Sequence, residues 1–99
     1  MMFRELSNAE VDVVILIKKY LNEYKRSYFT YDDIKVYAAR TGFYRQTDLT
    51  DRTVDRVVRG LASAGYFKRV SKVININGRK KRITIFVPTE DFHLYKVIW

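Results

Sequence analysis

The sequence predicts an α+β domain: a three-helix core, a small antiparallel β-sheet, and a C-terminal helical extension. Two patterns carry this. Three stretches place apolar residues at helical spacing behind a hydroxyl capping residue, and two runs rich in Val, Ile, Phe and Thr then flank Asn77-Gly78. A third observation sets the scale. Ninety-nine residues with 47% apolar and 15% aromatic content suffice for one core, and no repeat, linker or low-complexity tract divides them.

The first helix is expected over 8–24. Ser7 with Glu10 three residues on forms a capping box, and Val11, Val14, Ile15, Lys18 and Leu21 recur on one side. Val13 and Ile17 widen the apolar surface, which implies burial on two sides, by the domain core alone or by the core and a second subunit. Lys25-Arg26-Ser27 turns the chain, and Tyr28-Phe29 is a short extended segment. Thr30 caps a second helix over 31–41, with Asp32 and Asp33 in its first turn, where carboxylates complement the helix dipole. Ile34, Tyr37, Ala38 and Thr41 face inward, and Gly42 is the stop. From Gly42 to Leu49 the sequence reads as a loop anchored by Phe43. Tyr44, Arg45, Gln46 and Thr47 are either hydrogen-bond donors to phosphate or an ordinary polar loop.

The third helix, over 51–64, is the most strongly specified. Thr50 is its N-cap, Leu49 staples onto Val54, and Gly65 supplies a left-handed stop. Val54, Val57, Val58 and Leu61 fall on one side; Arg52, Arg56, Arg59 and Ser63 fall opposite. Asp51 and Asp55 stand at spacings that allow pairing with these arginines, so the row reads either as a solvated face or as a binding face. A hairpin over 67–87 follows, its strands Lys68 to Asn75 and Arg79 to Val87. Asn-Gly suits a type I′ turn, which needs positive φ at both central residues. Beyond the turn stand Arg79, Lys80, Lys81 and Arg82, an arrangement that favours a polyanion or protects a strand edge. Pro88 is expected to end strand pairing, and the extension over 89–99 starts at Thr89-Glu90-Asp91. Its stripe of Phe92, Tyr95, Ile98 and Trp99, with Phe3 and Leu6 from the start of the chain, reads as a homodimer interface or as a segment docked on the first helix.

The net charge of +8 is unevenly placed. Between Arg40 and Arg82 there are twelve Lys or Arg against three Asp, a net of +9; the rest of the chain has seven basic and eight acidic residues, a net of −1. That asymmetry is the electrostatic signature of a nucleic-acid binder and suits an acidic protein or an anionic membrane less well. With no cysteine, thiol catalysis, disulfides and cysteine zinc sites are excluded, and His93, the sole histidine, reads as an ordinary surface or interface residue. No catalytic cluster, metal site, cofactor or small-molecule ligand is implied. No apolar run is long enough for a membrane span and the start lacks a signal-peptide pattern, so a soluble cytoplasmic protein is expected.

Helix, glycine stop, strand, basic turn and second strand, in that order over 8–87, resemble the winged helix-turn-helix family. The stretch from Leu49 through Arg52-Thr53-Val54-Asp55-Arg56 to Gly65-Tyr66-Phe67 is similar to the recognition helix and following strand of MarR-like and PadR-like regulators. The small size and Tyr and Lys richness also resemble winged-helix proteins of crenarchaeal viruses and plasmids, which would place the chain in the host cytoplasm. The resemblance implies a homodimeric, sequence-specific regulator of transcription bound to double-stranded DNA. Arg52, Thr53, Arg56 and Arg59 would lie in the major groove, with Arg59 nearer phosphate. Tyr44, Arg45, Lys68 and Arg69 would lie along the backbone, and Arg79, Lys80, Lys81 and Arg82 would lie at the minor groove. A non-specific architectural or replication-associated DNA binder, and a winged-helix protein-interaction module, are the competing expectations.

Overall fold

Three hydroxyl caps start the three longer helices. Ser7, Thr30 and Thr50 each accept a hydrogen bond from the backbone N–H three residues on, and Glu10 and Asp33 return the bond in the first two to complete capping boxes. The computed structural model describes residues 6–95. Within them run α1 (Asn8–Tyr24), β1 (Phe29–Thr30), α2 (Tyr31–Thr41), α3 (Phe43–Thr47), α4 (Asp51–Ser63), β2 (Phe67–Ile76), β3 (Arg79–Pro88) and α5 (Glu90–Leu94). The arrangement is α+β, its single three-stranded antiparallel sheet ordered β1-β3-β2.

The predicted bounds of α1 and α2 match the structure, whereas the inward phase of α1 differs. Val13, Val14, Leu16, Ile17 and Tyr20 are buried, and Val11, Ile15, Lys18 and Leu21 are only half-buried. The helix packs against both α2 and α4. Its driest line therefore lies between those neighbours and not on the single stripe that spacing suggests. In α2, Ile34, Tyr37 and Ala38 are buried as expected, but Thr41 is exposed and its hydroxyl donates to the Tyr37 carbonyl at 3.0 Å. The expected loop after Gly42 holds a single helical turn, α3. Gly42, at φ 78°, reverses the chain, Phe43 enters the core, and the Thr47 hydroxyl donates back to the Phe43 carbonyl at 2.8 Å.

The end of α4 is a Schellman motif. The Tyr66 N–H donates to the Leu61 carbonyl at 2.9 Å and the Gly65 N–H to the Ala62 carbonyl at 3.1 Å, with Gly65 at φ 94°. That turn delivers Phe67 into an aromatic cluster, where Phe29 and Phe86 stack at 5.3 Å and Phe67 meets Phe29 edge-on at 5.0 Å. β1 pairs with β3 through Phe29 opposite Phe86 and Thr30 opposite Ile85, one residue later than the extended segment expected at Tyr28-Phe29. Asn77 (φ 51°) and Gly78 (φ 80°) make the tight turn between β2 and β3.

At the C-terminal end, strand pairing stops at Pro88 as expected, with Pro88 itself the last, buried residue of β3 opposite Phe67, and the Thr89 N–H donates to the Tyr66 carbonyl at 3.0 Å. The expected helical extension is corrected, since α5 ends at Leu94 and Tyr95 is extended. Phe92, 1% exposed, lies 5.0 Å from the Phe67 ring and beneath the Lys18 ammonium, 4.4 Å from its centroid. Lys18 Nζ also donates to the Phe92 carbonyl at 3.1 Å, and burial lowers its pKa. Phe92 is therefore a core residue docked on α1, the second of the two arrangements expected for this stripe. Leu6 and Tyr95 likewise pack partly buried against the same core; Phe3, Ile98 and Trp99 lie outside the described residues. Among the described residues no helix is long and apolar enough to cross a membrane.

Candidate nucleic-acid interface

The basic face of α4 is built on a helix immobilised along its other side. Val54, Val57, Val58 and Leu61 are buried, while Arg52, Arg56, Arg59 and Ser63 are exposed. Arg52, Thr53, Arg56 and Arg59 together line one shallow concavity of about 250 Å³. Thr53 is half-buried and serves the helix start as well: its N–H donates to the Thr50 hydroxyl at 3.3 Å, and the two hydroxyls share a hydrogen bond at 3.2 Å.

Two tyrosines hold the beginning of α4. The Tyr31 hydroxyl donates to the Asp51 carbonyl at 2.6 Å, and the Tyr44 hydroxyl donates to the Asp51 carboxylate. Burial raises the pKa of both phenols, and for Tyr44 the bond to Asp51 raises it further. Tyr44, expected either as a phosphate donor or as part of an ordinary polar loop, gives its hydroxyl proton to Asp51 and so ties α3 to the start of α4. Neither tyrosine shows in the spacing of α4 itself. The only signal in the sequence is Asp51, one position after the cap, which reads there as a pairing partner for the α4 arginines. Arg45 and Gln46 are exposed.

Arg59 is not a bare cation. Its guanidinium meets Asp55, one turn earlier, at 3.1 Å. Its carbonyl accepts from the Arg69 guanidinium at 3.2 Å, which straps β2 to α4. Arg69, read from the sequence as a backbone contact, thus spends one donor inside the protein while remaining exposed.

Strand register divides the basic hairpin between two faces. Residues directly opposite in an antiparallel pair share a face, and successive residues alternate. Arg69 opposite Phe86, Val73 opposite Arg82 and Asn75 opposite Lys80 fall on the face that carries Phe86 into the core. Lys68 opposite Val87, Ile74 opposite Lys81 and Ile76 opposite Arg79 fall on the other. Lys68 and Arg69, paired in the sequence reading, therefore point to opposite sides, and Arg79 to Arg82 split two and two. A cleft of about 600 Å³ separates the hairpin from the helices, with Arg59, Arg69 and Lys81 set against Asp32 and Asp55 in its lining. The structure thus gathers Arg52, Arg56 and Arg59 on one helix face. It sets Arg79, Lys80, Lys81 and Arg82 apart, at the end of the hairpin.

His93 is exposed in the last turn of α5. Among the described residues no group of three or more His, Asp or Glu is placed to hold a metal ion. Comparison with protein-family models, curated proteins and solved structures finds no match to this chain.

Proposed function

We propose that this chain is a sequence-specific double-stranded-DNA-binding regulator of transcription with a winged-helix architecture, acting as a homodimer. In this reading α4 is the recognition helix and the β2–β3 hairpin is the wing. The observation that carries it is the row Arg52, Arg56 and Arg59, exposed on a helix whose other face is buried and whose two ends are tied down. A helix fixed in this way presents guanidinium groups to a ligand with little further ordering, and side-chain ordering is a principal cost of binding. Arg52 and Arg56 contact base edges, where guanidinium pairs bidentately with guanine O6 and N7, and Arg59 reaches phosphate when Asp55 releases it. Lys68 and the wing cations add phosphate contacts that set affinity and its salt dependence. Regulation follows from occupancy of a promoter by a twofold dimer, whose half-sites stand about one helical turn apart.

The test is selection from a pool of random duplexes at about 150 mM salt, where purely electrostatic binding is weakened. Enrichment of a palindrome is expected, and Arg56→Ala is expected to cost about 1 to 3 kcal/mol on that site while relaxing preference at one position. Retention of DNA without enrichment would reassign the chain to non-specific architectural binding.

A further inference from the structure

The far half of the wing is chemically lopsided. β1 accompanies β3 only at Ile85 and Phe86, so the pairs from Val73 opposite Arg82 to Ile76 opposite Arg79 have no third strand beside them. At about 3.4 Å per residue these four pairs project about 14 Å. On the β2 side they carry Val73, Ile74, Asn75 and Ile76; on the β3 side every position is Arg or Lys. Val73 is 54% exposed and Ile76, the last residue before the turn, is 49% exposed. Apolar side chains at the tip of a projecting ribbon contribute little to the core, and the surrounding cations disfavour a basic partner.

We propose that the wing tip is an apolar wedge that enters the minor groove of duplex DNA and kinks it, with Ile76 as the residue levered against a base step. This rests on the DNA-binding reading above and adds a deformation to it. Charge complementarity selects the occupant, since four consecutive cations border the apolar edge and double-stranded DNA offers both phosphates and apolar base faces. Groove size supports deformation. Two strands about 4.8 Å apart, with their side chains, exceed a minor groove about 6 Å wide, so the tip seats only where the groove opens. Apolar side chains wedged between base steps open it, and Ile is among the residue types that do so. Pyrimidine–purine steps unstack most readily, so a TA or CA step is preferred under the tip.

The experiment measures end-to-end energy transfer on a duplex of about 30 base pairs labelled at both ends and saturated with the full chain. The wild type is expected to bend it by about 20° or more. Ile76→Thr keeps a β-branched residue in the strand; it is expected to bind within about threefold of wild type but leave the duplex nearly straight. Lys80→Ala is expected to weaken binding and flatten its salt dependence while the saturated complex stays bent. A straight duplex with saturated wild type, or an unchanged bend with Ile76→Thr, overturns the wedge and leaves DNA binding intact. No binding to any duplex overturns both readings. Capture of phosphatidylserine vesicles that Ile76→Thr abolishes, with DNA bending unchanged, would reassign the tip to an anionic lipid surface.

Discussion

Asp55→Asn isolates the part of the proposed interface that an ion pair within the protein holds in check. The Asp55 carboxylate meets the Arg59 guanidinium at 3.1 Å, with the two side chains 38% and 60% exposed. An exposed pair one turn apart contributes about 0.3 to 0.5 kcal/mol, so the fold loses little; at about 4 to 8 °C per kcal/mol the melting temperature falls by about 1 to 4 °C. For DNA binding the change works the other way. Removing the carboxylate raises the net charge from +8 to +9 and frees Arg59 for one more phosphate. One added contact steepens the slope of log K against log salt by about 0.9, so the advantage over wild type at 50 mM salt is about 3.5 times its value at 200 mM. Fluorescence anisotropy across a salt series, with thermal melts of both proteins, measures both quantities. A variant that binds with the wild-type slope, or more weakly at every salt concentration, would refute the placement of Arg59 on DNA.

Phe92→Ala should cost about 3 to 5 kcal/mol by leaving a cavity between Phe67 and Lys18, lowering the melting temperature by at least about 12 °C. A loss far below this, with a changed oligomeric state in sedimentation, would return Phe92 to an intermolecular contact. Tyr44→Phe removes the hydrogen bond to Asp51 and should lose about 1.5 kcal/mol in urea denaturation at neutral pH. Because folding raises the Tyr44 pKa from its ordinary 10.0, this contribution is complete below about pH 10 and fades as the pH rises beyond it. The gap between variant and wild type should therefore narrow in alkali; a gap that stays constant past that point would show that the phenol is not held protonated by Asp51.

Much of the fold was legible because it is written in short-range chemistry. Ser7, Thr30 and Thr50 cap helices whose partner lies three residues away, Gly65 and the Asn77-Gly78 pair answer a backbone demand at their own φ, and the two faces of α4 follow from 100° per residue. The arginine face of the candidate interface was visible for the same reason. Other assignments depended on distant neighbours. The buried line of α1 is set by α2 and α4 on either side, and the five-residue α3 forms where Phe43 finds the core. Phe92 reads from the sequence as either an interface or a docked residue because the residues that cover it, Lys18 and Phe67, lie 74 and 25 positions away.

By itself, then, the sequence determined where the three longer helices run, where the hairpin turns and which side of α4 is basic, since each depends on contacts within one or two turns of chain. Only the tertiary structure decided that Tyr31 donates to the Asp51 carbonyl, that Tyr44 donates to the Asp51 carboxylate, and that Arg69 straps the hairpin to Arg59. The physical reason is common to all three: a polar side chain has the same local propensities whether it is solvated or spent on a remote carbonyl or carboxylate, and only packing brings that partner within hydrogen-bonding distance.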